Sequence, residues 1–327
     1  MKHKFRAALL GLGNIGWRFD NKADASAPAL THAAAYLKHD RFELVAGCST
    51  DRKDCRDFHA ALGVPAYDSL EEMLDQAKPD ILSICSPSQF HFEHTLQCLE
   101  RGVPMIWLEK PPVSQVSELD KLLEKQRTLG NRSQVLVNFQ RRYSENYRLL
   151  KKIFAEQEIG GCKAIQLTYS RGLELNGSHI LDAMFFVLGD ASDYDLEWVS
   201  KTGNHENPSF SMRFKEGLRV IVTGIDLSFH CIDISLIGEN GRSSVLHGGM
   251  TIRHEQKIAN EFYAGFYRLA DCSDIVSADK PESAFSSALD DILFAFENDG
   301  KPCSNLSTAR HTQVLIELVR KQQKLPN

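Results

Sequence analysis

The sequence lacks the features that identify several classes of protein. No apolar run is long enough to span a membrane, and Met1 is followed by a predicted strand rather than by the apolar core of a signal peptide. There is also no block of basic residues, and 38 Lys and Arg against 43 Asp and Glu give a net charge of −5. Nucleic acids and anionic membranes are therefore unfavourable partners.

Paired cysteines are missing as well. The eight cysteines are scattered and form no Cys-x-x-Cys pair, so the sequence predicts neither a metal site nor a disulfide framework. Scattered cysteines of this kind are typical of small buried side chains in a reduced compartment, which predicts a cytoplasmic protein. What remains is the composition of an ordinary globular protein, with 43% apolar and 25% charged residues.

The order of predicted elements divides the 327 residues into two domains. Residues 1–140 alternate apolar strands with helices, beginning at Phe5–Leu10, which predicts an α/β domain with a parallel sheet covered on both faces. Residues 141–303 start with helices and continue with short alternating segments separated by turn residues. This second pattern predicts an α+β domain with an antiparallel sheet.

A glycine-rich turn follows the first predicted strand. Gly11-Leu12-Gly13-Asn14-Ile15-Gly16 has the spacing G-x-G-x-x-G. In this motif the first glycine permits the tight turn, the second lets the backbone approach a pyrophosphate, and the third lets the helix pack closely on the strand. The N–H groups at the start of the helix favour the anion. The motif predicts a nucleotide-binding site formed by Gly11, Gly13, Asn14, Ile15 and Gly16.

An insertion delays the helix that should follow this turn. Residues Phe19–Leu30 separate the glycines from a helical pattern that begins at Thr31. Two interpretations are equally compatible with the sequence: a loop that covers the cofactor or the substrate, and a solvent-exposed loop without a function.

The end of the second predicted strand bears on the choice of cofactor. An Asp or Glu there is typical of NAD-binding domains, because it accepts a hydrogen bond from the ribose 2′-hydroxyl. Here the position falls on Ser49, with Arg52 and Lys53 close by, and a hydroxyl beside a cation suits the 2′-phosphate of NADP. Asp51 could instead accept from a 2′-hydroxyl, so the sequence favours NADP and leaves NAD open.

The most informative residues are Glu109-Lys110-Pro111-Pro112. They follow the apolar run Val103–Leu108, so Lys110 is predicted at the carboxyl end of a buried strand, where doubly wound sheets bind ligands. Prolines restrict the turn that follows. A lysine held there can be desolvated, which brings its pKa to about 7–8 and lets it act as an acid or base. Taken alone, Lys110 is more typical of a surface lysine; the glycine turn before it and a histidine motif after it favour the functional interpretation.

The histidine motif is Asn176-Gly177-Ser178-His179-Ile180-Leu181-Asp182. His179 is predicted in the first turn of a helix that Asn176 or Ser178 caps, and Asp182 lies three residues on, near the same face. A carboxylate one turn away can orient an imidazole and raise its pKa. The alternative interpretation is that His179 and Asp182 only cap and solvate the start of the helix.

Four segments together resemble the Gfo/Idh/MocA oxidoreductases, the family named for glucose–fructose oxidoreductase and inositol dehydrogenase. The segments are Gly11–Gly16, Ser83–Pro87, Glu109–Pro111 and Gly177–Asp182. The resemblance implies a Rossmann domain in residues 1–140, with a C-terminal helix at about 304–327 packed back on it. It also implies that residues 141–303 carry a large, open, mostly antiparallel sheet that forms the interface of homodimers or homotetramers.

The resemblance further implies functions for individual residues. Lys110 takes the position of the family lysine beside the nicotinamide and the substrate hydroxyl, and His179 and Asp182 take those of the family histidine and aspartate. The remaining residues implied in cofactor binding are Ser49, Arg52, Ser86, Pro87 and Glu109. Arg142 and Tyr143 lie near these motifs in sequence and could bind substrate groups, although a structural role is the simpler interpretation.

One position departs from the family pattern. Dehydrogenases of this family often carry an aspartate four residues before the histidine, where this sequence has Leu175, so a Lys–Asp–His triad is incomplete. The resemblance implies reversible oxidation of a secondary alcohol on a sugar, cyclitol or sugar derivative, with NAD or NADP as cofactor. Two alternatives stay open: a glycoside hydrolase or lyase that uses a bound nicotinamide transiently, and an inactive nucleotide-sensing regulator, against which Lys110 argues.

Overall fold

The computed structural model describes residues 3–20, 27–200, 205–214, 217–272, 283–298 and 300–324. The chain divides into two compact units, residues 1–140 with 282–310 and residues 141–281 with 311–327. No helix in the described ranges is long and apolar enough to cross a membrane. All eight cysteines lie in these ranges, and each is a free thiol.

A six-stranded parallel sheet forms the centre of the first unit. Its strands are β1 (Phe5–Leu10), β2 (Phe42–Cys48), β3 (Ala66–Tyr67), β4 (Ile81–Ile84), β5 (Met105–Leu108) and β6 (Gln134–Val137). They lie in the order β3-β2-β1-β4-β5-β6, and every neighbouring pair is parallel. The strand order therefore reverses between β1 and β4, and a doubly wound sheet binds its ligand at such a point.

Five helices connect the strands of this sheet. They are α1 (His32–Lys38), α2 (Arg52–Leu62), α3 (Leu70–Ala77), α4 (His91–Glu100) and α5 (Val116–Thr128). Every residue of β4 and β5 is buried, which explains why β5 is a continuous apolar run and why β4 is apolar except for Ser83. A side chain caps the start of α3, since the Ser69 hydroxyl accepts a hydrogen bond from the backbone N–H of Glu72.

The second unit contains an eight-stranded sheet. Its strands are β7 (Cys162–Ser170), β8 (Tyr194–Val199), β9 (Phe210–Phe214), β10 (Arg219–Ile225), β11 (Ile232–Gly238), β12 (Gly241–Leu246), β13 (Thr251–Ala259) and β14 (Tyr267–Asp271). Their order is β14-β13-β12-β11-β7-β10-β9-β8, and only β7 and β10 pair in parallel among these strands. The predicted fold class, a Rossmann domain with a mostly antiparallel second sheet, is confirmed.

One face of the second sheet is covered by helices. α6 (Glu145–Ala155) and α7 (Ser178–Val187) pack against it, and alternate residues of β11 (Ile232, Ile234 and Leu236) are buried in the core there. The intervening residues are partly exposed on the opposite face, as expected for an open sheet. The chain ends with α8 (Ser283–Asn298) and α9 (Leu306–Lys324); residues 325–327 of the predicted final helix lie outside the described residues.

Candidate active site

The residues that follow β1, β4, β5 and β6 lie along one edge of the parallel sheet. The hydrogen-bond ladder continues one residue beyond three of these strands. The backbone N–H of Cys85 donates to the last residue of β1, that of Glu109 to the last residue of β4, and that of Asn138 to the last residue of β5 (2.7, 3.0 and 2.8 Å). The glycine turn, the Ser86-Pro87 segment and Lys110 are therefore neighbours at the carboxyl edge of the sheet.

The three glycines of the turn differ in what surrounds them. Gly11 has a φ of +101°, and a Cβ built there would lie 2.5 Å from the backbone of Cys85 and Ser86. A Cβ on Gly16 would lie 2.4 Å from the carbonyl oxygen of Gly11, whereas a Cβ on Gly13 would have no atom within 4 Å. Gly11 and Gly16 thus permit close packing inside the protein, and Gly13 leaves an open backbone surface. This geometry fits a dinucleotide, whose pyrophosphate needs such an approach.

The helix after the glycine turn is interrupted. The backbone N–H groups of His32 and Ala33 donate to the carbonyls of Ile15 and Gly16 (3.2 and 2.9 Å). In a continuous helix these carbonyls would accept from the residues four positions later, so α1 resumes the helical path after an excursion of residues 19–31. The predicted insertion is therefore a break within the first helix, and His32 is the first helical residue after it.

The base of the excursion is closed by one carboxylate. Asp20 accepts hydrogen bonds from the backbone N–H of Leu30 (2.8 Å) and from the hydroxyl of Thr31 (2.6 Å). The Thr31 hydroxyl in turn accepts from the backbone of α1 and caps it. Residues 21–26 of the predicted insertion lie outside the described residues.

The end of β2 carries the residues that bear on cofactor choice. The hydroxyl of Ser49 accepts from the backbone N–H of Asp51 (3.2 Å), and the Asp51 carboxylate caps α2 by accepting from the N–H of Lys53 (2.7 Å). Arg52 is paired with Asp68 (3.2 Å), and 81% of its side chain is exposed. One oxygen of Asp51 thus has a structural partner, while Arg52 presents an exposed guanidinium close to Ser49 in the sequence.

Glu109, directly before Lys110, is held from two other elements. Its Oε1 accepts from Nε2 of His32 on α1 (2.9 Å) and from the amide of Asn138 after β6, and its Oε2 accepts from the backbone N–H of Lys110 (3.3 Å). Burial by itself raises the pKa of Glu109, but the hydrogen bond and charge of His32, the hydrogen bond from Asn138 and the charge of Lys110 together lower it below its ordinary value. Glu109 is therefore ionised at neutral pH.

The turn after Lys110 is held by the side chain of His91. The peptide bond between Lys110 and Pro111 is cis. The buried ring of His91 contacts the carbonyl oxygen of Pro111 through Nδ1 (2.7 Å) and that of Ser86 through Nε2 (2.9 Å). Two of the segments predicted to contact the cofactor are thereby connected through one side chain.

The helix that carries the histidine motif in the second unit does not begin in the predicted way. A π-helical turn (Leu173–Gly177) precedes α7, and α7 has no side-chain cap. The hydroxyl of Ser178 donates to two carbonyls of the preceding turn, and the amide of Asn176 contacts His230. The prediction that Asn176 or Ser178 caps this helix is therefore wrong, because Ser178 bonds to the preceding π-helical turn and Asn176 contacts His230. His179 is half-buried in the first turn of α7.

Asp182 pairs with Arg142. Its two carboxylate oxygens accept from Arg142 (2.8 and 2.9 Å), both side chains are fully buried, and Arg142 also holds Asp190 (2.8 Å). Burial raises the pKa of Asp182, and the Arg142 guanidinium counteracts this. This pairing corrects the expectation that Asp182 orients His179 and that Arg142 binds substrate, since a buried charge requires its partner. Tyr143 is also fully buried, which argues against its predicted contact with substrate.

Replacement of Arg142 by Met is expected to lower the free energy of unfolding by about 3–5 kcal/mol, because Asp182 would remain buried without its counterion. Urea denaturation measures the change. A matched control is Arg213→Met, which breaks a partly exposed pair with Glu197 (2.7 Å) and should leave the free energy of unfolding close to that of the wild type. An equal loss in the two variants would contradict the structural role of Arg142.

Leu175 occupies the position that departs from the family pattern, and the carboxylate next to it in the sequence, that of Glu174, is already paired. Leu175 is 47% exposed. Of its neighbours, Glu174 is paired with Arg320 (2.6 Å) and Asn176 contacts His230 (3.0 Å). Burial raises the pKa of Glu174, but the hydrogen bond and charge of Arg320 lower it below its ordinary value. The Glu174 carboxylate is thus committed to an ion pair.

Several residues around Lys110 were not found from the sequence. They are His32, Ser83, His91 and Asn138. Asn138 had a readable signal, because it directly follows the apolar run of β6 at the edge where ligands bind. His32 had none, since it reaches Glu109 across 77 positions of the chain. Among the described residues no group of three or more His, Cys, Asp or Glu side chains is arranged to hold a metal ion.

Comparison with known proteins gives consistent matches. Residues 5–139 match the family described as "Oxidoreductase family, NAD-binding Rossmann fold". D-glucoside 3-dehydrogenase of Escherichia coli (strain K12) is 28% identical over 207 residues, which are 56% of this chain and 54% of that protein. Myo-inositol 2-dehydrogenase of Thermotoga maritima is 22% identical over 264 residues, 72% of this chain and 74% of that protein. The chain thus spans about half the length of the first of these relatives.

Solved structures show the same fold. The WlbA dehydrogenase from Bordetella pertussis, crystallised with NADH and UDP-GlcNAcA, superimposes with a TM-score of 0.76 at 17% identity, and the match covers 100% of this chain and 99% of that one. At this identity the likeness extends to the fold alone. Both the parallel sheet and the mostly antiparallel sheet are shared over the matched length.

Proposed function

Since residues 5–139 match the model of the Gfo/Idh/MocA oxidoreductases, we propose that this protein is an NAD(P)-dependent dehydrogenase or reductase. It transfers a hydride between the nicotinamide cofactor and a secondary alcohol or ketone of a sugar, cyclitol or sugar derivative. The observation that carries this proposal is the position of Lys110, which follows the ionised Glu109 at the carboxyl edge of the sheet, beside the glycine turn. The relatives that oxidise a glucoside and an inositol support the substrate class.

The glycine turn and the neighbouring segments hold the cofactor in this proposal. Backbone N–H groups of Gly13-Asn14-Ile15 face the pyrophosphate, and Ser86 and Pro87 border the nicotinamide side. Ser49 and Arg52 face the adenosine ribose, and the exposed guanidinium of Arg52 favours NADP. A bound nicotinamide supplies the hydride chemistry, and the protein supplies position and proton transfer.

Lys110 is the proposed proton-transfer group. In the oxidation direction its neutral amine takes the hydroxyl proton, and in the reduction direction its ammonium polarises the carbonyl and returns the proton. The Glu109 carboxylate accepts a hydrogen bond from the backbone N–H of Lys110 (3.3 Å). This bond fixes the backbone from which the side-chain amine of Lys110 extends. His179 is the second proposed catalytic residue, which shares the proton or holds the substrate oxygen. The buried Asp182 stabilises the helix that carries it.

Cofactor binding followed by a substrate screen tests this function. Fluorescence titrations of cofactor-stripped protein with NADH and with NADPH should show tight binding of at least one, with NADPH preferred. Myo-inositol, scyllo-inositol and methyl glucosides are then incubated with the matching oxidised cofactor, and reduced cofactor should accumulate at 340 nm. Release of methanol from a methyl glucoside without accumulating reduced cofactor would support the hydrolase or lyase alternative instead. Binding of neither cofactor would overturn the proposal.

The open sheet of the second unit is the proposed surface for self-association into homodimers or homotetramers. Its β13–β14 end carries four strongly exposed aromatic side chains: Phe262 (85%), Tyr263 (67%), Phe266 (68%) and Tyr267 (63%). Exposed apolar groups in such a cluster are typical of an interaction surface.

The double variant Phe262→Asp/Phe266→Asp is expected to shift the protein to a smaller assembly, because both substitutions place a charge in the apolar contact. Light scattering coupled to size-exclusion chromatography measures the mass. Phe294→Asp on α8 is the matched control, since Phe294 is 61% exposed in the first unit. If the double variant and the wild type have the same mass, the interface lies elsewhere or the protein is a monomer.

A further inference from the structure

A chain of three hydrogen bonds, two of them fully buried, ends at the carboxylate beside Lys110. The Tyr36 hydroxyl contacts the Ser83 hydroxyl (2.7 Å), the Ser83 hydroxyl contacts Nδ1 of His32 (2.9 Å), and Nε2 of His32 contacts Glu109 (2.9 Å). Tyr36, His32 and Ser83 are each fully buried. Polar groups at such depth are retained only where each has a partner.

For a neutral His32 ring, the direction of every bond in this chain follows from its last member. Glu109 is ionised and can only accept, so Nε2 of His32 donates to it. In the neutral tautomer Nδ1 of His32 then accepts from the Ser83 hydroxyl, which leaves the Ser83 oxygen free to accept from Tyr36. Each hydroxyl proton has one acceptor under this assignment, and every hydrogen bond of the series is donated in the direction of Glu109.

Packing fixes the imidazole in the orientation that this chain requires. The ring of His32 lies against Trp107 of β5, with centroids 4.1 Å apart, and meets Phe285 of α8 edge-on at 5.3 Å. With no exposed surface, the ring cannot turn without displacing these neighbours. Asn138 holds the same oxygen of Glu109 from the other side of the sheet edge, so the carboxylate has donors on two sides.

We propose that His32 is a positioning residue for Lys110 and acts through the carboxylate of Glu109. This inference rests on the proton-transfer role proposed above for Lys110. Ser83 and Tyr36 stabilise one tautomer of His32. His32 and Asn138 donate hydrogen bonds to the Glu109 carboxylate and fix its position. The carboxylate in turn accepts from the backbone of Lys110 and positions that residue. The ionisable groups that face this carboxylate are His32 on α1, Cys85 after β4 and Lys110 itself.

The link between Glu109 and Lys110 can be measured without a substrate. In protein labelled with [ε-13C]lysine, the Lys110 signal is assigned by its absence in Lys110→Arg, and its titration midpoint is followed by NMR. Glu109→Gln removes a neighbouring negative charge and should lower that midpoint by about one pH unit or more. His32→Leu removes the donor that keeps the buried Glu109 ionised, so the midpoint should fall toward that of Glu109→Gln.

A matched control separates this effect from general loss of a buried histidine. His254 on β13 is also buried and contacts a serine hydroxyl, that of Ser243, at 2.6 Å, so His254→Leu should leave the Lys110 midpoint at the wild-type value. A wild-type midpoint in His32→Leu, together with a lowered one in Glu109→Gln, would overturn the role of His32. An unchanged midpoint in both variants would overturn the coupling of Glu109 to Lys110.

Kinetics give a second readout once a substrate of the screen is oxidised. With myo-inositol or a methyl glucoside as the probe, His32→Leu should lower kcat by roughly tenfold to a hundredfold, because small displacements of a reacting group have effects of this size. The KM for the cofactor should change little. His32→Gln, whose amide can still donate to Glu109, should recover part of kcat; equal losses in the Leu and Gln variants would contradict the proposal. If no probe is oxidised, the proposed function fails while the NMR result still decides the role of His32.

Discussion

Replacement of Lys110 by Met is expected to lower kcat by about 10²–10⁴-fold, the contribution that general acid–base catalysis commonly makes. Met has a similar length and no group that can exchange a proton. Lys110 follows Glu109 at the carboxyl edge of the sheet, and its amine is the proposed partner of the substrate hydroxyl. The cofactor should still bind, because the glycine turn and the end of β2 are unchanged. Steady-state kinetics and a fluorescence titration of the same preparation measure the two effects.

The charge and the proton of Lys110 can be separated by a second variant. Lys110→Arg keeps a cation but cannot deprotonate at neutral pH, so it should be as slow as Lys110→Met if the amine is the base. Lys125→Met on α5 is the control, since Lys125 forms a partly exposed pair with Glu100 (2.7 Å) away from the sheet edge. Wild-type turnover in Lys110→Met, with cofactor bound, would show that another group transfers the proton.

Substitutions in the glycine turn are expected to have the second large effect. One of them should lower the stability of the protein, and another should weaken cofactor binding. Gly11→Ala should lower the free energy of unfolding by about 3 kcal/mol or more, because a φ of +101° strains an alanine and its Cβ would lie 2.5 Å from the backbone after β4. Gly13→Ala should fold as the wild type does, because its Cβ meets no atom within 4 Å. That open space is where the pyrophosphate is proposed to lie, so the alanine should weaken cofactor binding by at least about tenfold.

The two glycine variants serve as controls for each other. Urea denaturation without cofactor measures stability, and fluorescence titration with NADH and NADPH measures binding. The expected pattern is a large loss of stability in Gly11→Ala and a loss of affinity at wild-type stability in Gly13→Ala. Wild-type affinity in Gly13→Ala would contradict the proposed approach of the pyrophosphate to this turn.

The sequence predicts the parallel sheet well because its central strands are buried on both faces. Met105–Leu108, for example, lies within the apolar run Val103–Leu108 and ends at the same residue. Two edge strands, β3 and β14, were not predicted, for the opposite reason. β14 is exposed along most of its length and β3 has only two residues, so neither gives an apolar run or a clear alternation. The second sheet was recognised as antiparallel, but the parallel pairing of β7 with β10 depends on contacts that local patterns do not record.

The candidate site was predicted where function depends on local sequence and missed where it depends on distant pairing. The glycine turn and Lys110 each follow a strand, and a strand end at the ligand-binding edge can be read from the sequence. Asp182 was placed near His179 by helical spacing, which is correct as geometry. Its partner Arg142 is 40 positions away, and burial decided the pairing because two buried charges stabilise each other.

The first helix is interrupted at residues 19–31, and the backbone on both sides of this interruption is held in place by hydrogen bonds. His32 and Ala33 take their register from the carbonyls of Ile15 and Gly16, so the number of residues in between does not set the register. The length of the chain between these hydrogen bonds can therefore vary while the glycine turn and the His32 ring, which contacts Glu109, keep their positions. The Asp20 and Thr31 side chains close the base of the excursion and cap α1, so a change of length would have to leave both of them in place.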